Sequence, residues 1–559
     1  MKIKDIQKQM DVDALIICRN NHFLGQDILA SENKIAELTG FDGSAGKIVI
    51  TKKNTFLFVD GRYEIQSKLQ TNPKEVTVIV ENQNYNFRNW IKDNLKNKKI
   101  GYNPWQVSIS TFKDWKKLVA DADFIPLPEI IKTPRATAFE HKIEFSGMNS
   151  EEKIQKCIAQ NSADAIFIGA ADNVSWLTNL RSNALPETPI VRAFALLTAN
   201  GEISLFADNL LLPANCSIPK YPLKKLEQVF KSLSGKKINA DFKYTPNIVF
   251  DICKKHQINI VNSPDICTNE KAQKNPVEIQ GIINAHIRDG VALCKFLYWL
   301  DKNKKELSET DIVKKLYSFR KKQKLFHSVS FATIAGAGIN SAIVHYHPTK
   351  NNQSKIINDS VLLLDSGGQY FDGTTDVTRT IAIGTPTSDM KQKFTMVLKA
   401  HIALSSQKFP RNTSGIRLDA ICRSILWNFG LDYNHGTGHG VGCFLNVHEG
   451  PQSMSVSSSS YPIKPNMVLS IEPGYYKENE FGIRIENLVY VAEDEKNNGF
   501  LKFIPLTLVP IDFRLIDEYL LNNGEKEWIN QYHDTVYSVI APLLSKAEQK
   551  WLEKACSPL

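Results

Sequence analysis

Five side chains in the last third of this 559-residue chain, Asp365, Asp376, His439, Glu472 and Glu486, form a spaced set of hard-metal ligands. Four carboxylates and one imidazole suit two oxygen-loving divalent cations such as Mn²⁺, Mg²⁺ or Co²⁺. Each stands in strand-like apolar sequence: VLLLDSGGQYFDGTTDVTRT, HGTGHGVGCFLNVHEG, VLSIEPGYY and FGIRIEN. Charges are rarely buried unless paired or metal-bound, so this set is poorly explained as solvated surface. Two ions about 3.5–4 Å apart, bridged by carboxylates, lower the pKa of a shared water and supply hydroxide near pH 7. A carboxylate at the metal then relays the proton to the leaving group. Neutral histidines nearby can hydrogen-bond a carbonyl or its developing oxyanion. The expected chemistry is metal-assisted hydrolysis, with an amide as the natural substrate.

The surrounding residues divide into partners and bystanders. A hairpin made from VLLLDSGGQY and TTDVTRTIAIG, turning at Asp372-Gly373, would bring Asp365 and Asp376 onto neighbouring strands, with Asp372 as a turn former. In FGIRIEN the period of two puts Arg484 and Glu486 on one face and Ile483 and Ile485 on the other, so Arg484 is expected to orient the ligands from behind. The glycines of HGTGHGVG oppose a helix, and allow close backbone approach in a tight cavity. His448 in NVHEG and His345 in AIVHYHP are further imidazoles in apolar settings. His347 would share a face with His345 in an extended segment, and the sequence does not choose between them. His401, on the apolar side of a helix, reads as a core residue.

The elements that must position these groups follow from pattern and punctuation. Two early segments look like degenerate copies: DALII, LTGF and KIVITKKNTFLFVD in one, DAIFI, LTNL and AFALLTANGEISLFAD in the other. Such self-similarity predicts two related α/β domains. Proline-rich stretches at Phe124 to Phe139 and Asn262 to Glu278 read as linkers, which gives domains at 1–125, 126–273 and 274–559. Helical periodicity starts at Pro276, a capping box at Ser308 to Asp311 opens the next helix, and two more helices are expected at Asp389 to Ser406 and Leu418 to Phe429. The tail from Asp512 to Leu559 reads as a helical extension packed through Trp528, Tyr532, Tyr537, Leu543, Leu544 and Trp551.

Composition excludes several classes. The net charge of +9 and pI near 8.8 come from scattered lysines. The densest clusters, Lys302 with Lys304 and Lys305, and Arg320 to Lys324, lie beside helical patterning without aromatic interleaving, so nucleic acid is not an expected partner. Nine dispersed cysteines with no CxxC pair argue against a disulfide framework or a zinc knuckle and fit a reducing compartment. No apolar run approaches the ~18 residues of a membrane span, and the N-terminus lacks a signal-peptide pattern. The expected location is cytoplasmic.

The order Asp, Asp, His, Glu, Glu within GTTDVTRT, HGTGHGVG, NVHEGP, SIEPGYY and FGIRIEN resembles the pita-bread metallopeptidases, and more narrowly the three-domain, cytosolic form of aminopeptidase P. GFDGSAG and VDGRY resemble the first domain of that family, DNVSWLTNLR the second, and PLTLVPID with the helical tail the end of the long form. The resemblance implies an α/β fold: two related α/β domains before a pita-bread catalytic domain with a helical extension. It implies cleavage of the N-terminal Xaa-Pro bond by a hydroxide bridging two ions, with Mn²⁺ expected and Co²⁺, Zn²⁺ or Mg²⁺ as alternatives. Asp365 would chelate one ion, Asp376 and Glu486 would bridge both, and His439 and Glu472 would complete the second. Glu472 would also shuttle the proton. His345, His435 and His448 would line the site and bind the peptide, Arg62 of VDGRY would contact substrate, and a homodimer is implied. The chain departs from the family pattern at QDILASENKIAELTG and at Ser182-Asn183, where Gly-Ser is usual. The rival readings are a prolidase-like dipeptidase and a non-catalytic pita-bread peptide-binding module.

Overall fold

A computed structural model describes residues 2–82, 84–303, 307–357, 359–456 and 460–559; Lys304 and Lys305 of the first basic cluster lie outside them. The chain divides into two compact units. One comprises Met1–Lys142, Met148–Leu185 and Pro189–Thr268, the other Ile143–Gly147, Pro186–Thr188 and Asn269–Leu559.

Two six-stranded sheets build the first unit. One contains Ala14–Cys18, Lys47–Thr51, Thr55–Val59, Thr77–Val80, Lys99–Tyr102 and Asp123–Pro126. The other contains Ala165–Ile168, Phe194–Thr198, Ile203–Phe206, Lys220–Tyr221, Lys237–Ala240 and Asn259–Asn262. Counted along the chain within each sheet, the strands of both lie in the order fourth, third, second, first, fifth, sixth. In both, the first three strands pair antiparallel and the remaining pairs are parallel. The matching Leu-Thr segments prove to be helix ends: Lys34–Thr39 closes on Gly40 at φ 82°, and Ala171–Thr178 closes on Asn179 at φ 51°. Left-handed backbone there is what Gly and Asn tolerate best.

The linkers are more structured than their prolines suggest. Residues 124–139 begin in one strand and end in another, Ala136–Glu140, and the second stretch contains the helix Ile266–Ala272. A proline run ends an element without preventing the next from starting a few residues later.

The second unit holds the ligand-bearing sequence. Asn275 caps the 27-residue helix Pro276–Lys302 in a box with Glu278, and Ser308 caps Glu309–Arg320 with Asp311. Behind this helix pair lies a three-stranded sheet in which Ser360–Ser366 runs between Ile334–Ala337 and Val377–Ile383. A second helix pair, Ser388–Ser405 and Gly415–Trp427, brackets the first strand of a six-stranded sheet. Its order is Lys408–Pro410, Phe500–Pro505, Asn487–Glu493, Val468–Ile471, Gly438–Gly440, Glu449–Met454. Every residue of Ser360–Ser366 and Val377–Ile383 is buried, so any charge they carry needs a partner.

The tail folds as the helices Asn523–Ile540 and Lys546–Ala555. Tyr532 and Leu544 are buried there, Trp528, Tyr537 and Trp551 are partly buried against the core, and Leu543 is exposed rather than packed. It sits in the short turn between the helices, where one face must meet water. No helix among the described residues is long and apolar enough to cross a membrane.

Candidate metal centre

Antiparallel pairing sets Asp365 opposite Thr378 and Ser366 opposite Val377, so Asp376 stands one residue before the partner strand begins. Between these strands, Gly368–Tyr370 and Gly373–Thr374 pair separately, and the reversal falls at 371–372. Asp372 is more than a turn former: it is buried and ion-paired with Arg288 of the long helix. Leu362 and Leu364 face the core, while Glu486 meets the same strand pair from the other half. Its amide donates to the Thr378 carbonyl at 3.1 Å, and its Oε2 accepts from the Thr378 hydroxyl at 2.9 Å.

His439 and Glu472 come from adjacent strands of the six-stranded sheet. The His439 Nδ1 lies 2.9 Å from the Gly440 carbonyl and must donate there, which leaves Nε2 with its lone pair. That nitrogen is 3.5 Å from Asp376 Oδ2 and 3.6 Å from Glu472 Oε1. One ligand atom from each of Asp376, His439 and Glu486 falls within 4.8 Å of the others. Asp365 faces the same cluster, its Oδ2 held by Arg484 Nη2 at 2.7 Å. Its Oδ1 is buried with no hydrogen-bond donor.

So many carboxylates are in electrostatic conflict by themselves. Burial, then the charges of Asp365 and Glu472, hold the Asp376 carboxyl well above its ordinary range. Burial, then Asp376 and Glu472, does the same to Glu486, and burial raises Glu472. Divalent cations relieve that conflict, and the oxygen-rich donor set with one imidazole fits them. The orphaned Oδ1 of Asp365 and the free Nε2 of His439 are the atoms such ions would take.

The other expected residues fall as follows. Arg484 is fully buried, with Nη1 donating to the Tyr476 hydroxyl at 2.7 Å. That hydroxyl, its lone pair engaged, can donate to His435 Nε2 at 2.9 Å, while His435 Nδ1 donates to the Gly436 carbonyl at 2.8 Å. The relay Asp365–Arg484–Tyr476–His435 is therefore continuous. His448 is exposed, with its ring edge-on to His439 at 4.3 Å. His345 is half-buried in the loop after 338–342, beside Val344, whose carbonyl accepts from Arg484 at 3.4 Å; His347 is exposed. Arg62 lies in the first unit, where Nε and Nη2 grip both oxygens of Asp60 at 2.8 Å.

Two contributors escaped sequence reasoning. Tyr476 stands in SIEPGYY, and its signal was a phenol four residues after a ligand. The other is a support under the histidine loop. Arg423 donates to the His435 carbonyl at 2.6 Å, and the Thr437 hydroxyl donates to Asp419 at 2.5 Å. The Thr437 carbonyl in turn takes the Glu472 amide at 2.8 Å. Asp419 and Arg423 stand one helical turn apart, a spacing that by itself signals no more than an i,i+4 pair.

Known protein families match nearly the whole chain. Residues 280–493 match Metallopeptidase family M24 and residues 499–559 the C-terminal region of peptidase M24. Residues 1–137 and 132–278 each match a Creatinase/Prolidase N-terminal domain. A probable Xaa-Pro aminopeptidase P of Laccaria bicolor is 35% identical across 100% of this chain and 93% of its own. Xaa-Pro aminopeptidase 1 of Dictyostelium discoideum is 34% identical across 100% and 96%. The crystal structure of an X-prolyl aminopeptidase from Caenorhabditis elegans, described as a cytosolic enzyme with a di-nuclear active site, superposes with a TM-score of 0.93 at 29% identity. It covers 100% of this chain and 98% of its own.

Proposed function

The chain belongs to the multidomain aminopeptidase P group of metallopeptidase family M24, and from that premise we propose that it releases the first residue from peptides whose second residue is proline. The observation that carries this reading is the convergence of Asp365, Asp376, His439, Glu472 and Glu486 on one cluster, in a chain whose whole length matches curated aminopeptidases.

Two divalent cations, with Mn²⁺ the first candidate, polarise the scissile carbonyl and acidify water when bound there. Asp365, Asp376, His439, Glu472 and Glu486 would hold them. Glu472 carries the proton between water and the departing proline nitrogen, a role suited to a carboxyl that burial raises above its ordinary range. Arg484 and Tyr476 fix the Asp365 carboxylate and keep His435 in one tautomer. His345, His435 and His448 orient the peptide around the bond to be cut, and Arg62 contacts it beyond the proline. Proline lacks an amide hydrogen and fixes its own φ, so a site that accepts it is shaped differently from that of a general aminopeptidase.

Three domains, at 1–125, 126–273 and 274–559, belong to the same proposal, as do a cytoplasmic location and a homodimer.

The test is hydrolysis of an Xaa-Pro-Xaa tripeptide by purified protein, with and without Mn²⁺, against Xaa-Ala-Xaa and an Xaa-Pro dipeptide. Mn²⁺-dependent release of the first residue from the proline tripeptide is expected. Faster cleavage of Xaa-Ala-Xaa refutes the specificity, turnover confined to the dipeptide favours a prolidase, and no turnover with metal bound favours a binding module.

A further inference from the structure

Three buried charges outside the ligand set are unused by that mechanism. Glu449 follows His448 and opens the strand Glu449–Met454. Its carboxylate is fully buried, and so are its two partners, with Lys271 and Lys274 side chains 2% and 1% exposed. Lys274 Nζ sits 2.5 Å from Oε1 and Lys271 Nζ 3.1 Å from Oε2. Lys274 also donates to the Lys271 carbonyl at 2.9 Å, which locks the two lysines to one another. Burying three full charges is expensive, and apolar replacements of similar volume usually serve stability as well or better. Such a cluster invites a role in placing something.

What it places can be read from the glycines of HGVG. Gly440, which follows His439, pairs with Glu449 across the strands. A β-carbon at Gly440 would collide with the Glu449 carbonyl and the Gln452 amide, and one at Gly442 would sit 3.2 Å from Glu449 Oε2. The turn 440–442 thus packs against the Glu449 backbone at Gly440 and, at Gly442, against the Glu449 carboxylate together with Leu445 and the Asn446 carbonyl. The Gly440 carbonyl is the acceptor that fixes the His439 Nδ1 proton, at 2.9 Å. His448, the residue before Glu449, presents its ring to His439 at 4.3 Å. Both imidazoles of this side of the site are therefore set by the backbone that Glu449 anchors.

We propose that Lys271, Lys274 and Glu449 form a buried clasp that fixes the turn 440–442 and the His448 ring relative to His439, making Glu449 a positioning residue for the histidine side of the metal centre. The assignment rests on His439 being a ligand. It explains why a glutamate stands beside His448 and why two lysines, not one, meet it: each carboxylate oxygen has an ammonium beside it, and Oε2, which is ion-paired with Lys271 but accepts no hydrogen bond, is the one that faces Gly442.

The test compares Glu449→Gln and Lys271→Met with the wild-type full-length protein. Mn²⁺ affinity is measured by calorimetry on chelator-stripped protein, and kcat and KM on an Xaa-Pro-Xaa peptide with Mn²⁺ saturating. Residues that orient a ligating histidine typically contribute 10–100-fold, so Glu449→Gln should weaken Mn²⁺ binding and lower kcat by about tenfold or more, with KM changed less than about twofold. Lys271→Met should move both readouts the same way, since it frees Oε2 while leaving Glu449 a single counter-charge. Should Glu449→Gln fail to fold, Lys271→Met decides on the same readouts. Wild-type Mn²⁺ affinity and kcat in a folded variant, whatever its thermal midpoint, would show that the clasp only stabilises. If the wild type cleaves no Xaa-Pro peptide, the functional reading falls by itself, and the Mn²⁺ affinities of the variants still decide the clasp.

Discussion

Replacing Arg484 by methionine separates its two attachments, one to a metal ligand and one to the fold. The guanidinium is fully buried, donates to Asp365 Oδ2 at 2.7 Å and to the Tyr476 hydroxyl at 2.7 Å, and its charge acts on the carboxylates of Asp365, Asp376 and Glu472. Methionine fills similar space and removes the charge. Breaking a buried pair from one side costs about 3–5 kcal/mol, because the abandoned carboxylate stays buried. The metal-free variant should therefore lose about that much stability. With saturating Mn²⁺ the cation supplies the missing counter-charge at Asp365, so the loss should shrink to less than half. Turnover should nevertheless fall about 10–100-fold with metal bound, because Asp365 and His435 lose their common tether. Arg484→Lys restores the charge without the planar fork and should recover stability better than kcat. Urea unfolding with and without Mn²⁺, followed by tryptophan fluorescence, measures the first effect, and steady-state kinetics the second. Equal destabilisation in the two conditions would refute the placement of Asp365 at the metal.

Two further outcomes are expected. His401 is fully buried on the helix Ser388–Ser405, 5.9 Å from the Trp528 ring, and burial, then Arg379, pushes its imidazole down to about 3. The unfolded chain takes the proton first, so stability is complete above about pH 6.5 and is lost as pH falls towards 3, by about 2 kcal/mol at pH 5. His401→Leu should flatten the difference in unfolding free energy between pH 8 and pH 5 by that amount, and an unchanged difference would reject this residue as a source. Arg62→Ala should reduce kcat/KM on longer peptides with metal content unchanged, and since its pair with Asp60 is half-exposed, stability should fall by no more than about 1 kcal/mol; normal kinetics with lowered stability would make the Asp60 pair its whole role.

The parts legible in sequence are those encoded by local period. The apolar run of VLLLDSG and the strand pattern of VTRTIAI signal paired strands that carry Asp365 and bring Asp376, one residue before the second, beside it, and a period of two puts Arg484 and Glu486 on a common face. The duplicated domains were legible because each copy repeats strand, helix end and hairpin at similar spacing. What was illegible is long-range. Tyr476 reaches His435 only because the ribbon Gly474–Lys477 with Phe481–Arg484 folds back over the histidine loop. Lys271 and Glu449 are far apart in sequence, and no periodicity links two lysines beside a helix start to a glutamate on a strand. Asp372 does stand in the turn that the Asp-Gly pair signals, but nothing local announces that Arg288 will also bury it in an ion pair.

A site whose ligands come from two sheets faces a general difficulty, since metal loss could let the sheets part. Asp365 lies in the three-stranded sheet with Asp376 at the entry to its next strand, while His439 lies in the six-stranded one with Glu472 just past its neighbouring strand. Neutral hydrogen bonds bridge the gap without any ion. The Thr380 hydroxyl both donates to the Arg484 carbonyl at 3.0 Å and accepts its amide at 3.1 Å, and the Glu486 amide meets the Thr378 carbonyl. Behind them Arg379 donates to the Glu486 carbonyl at 2.7 Å, the Asn487 side chain at 2.8 Å and the Tyr532 hydroxyl at 2.7 Å, tying the tail helix to the strand that carries a ligand. Bonds of this kind, fully satisfied in a water-free interior, keep their geometry whatever the charge state of the carboxylates in front of them. The scaffold therefore pre-organises the carboxylates at the cost of their mutual repulsion, and that stored repulsion is what makes the cluster receptive to cations rather than collapsed upon itself.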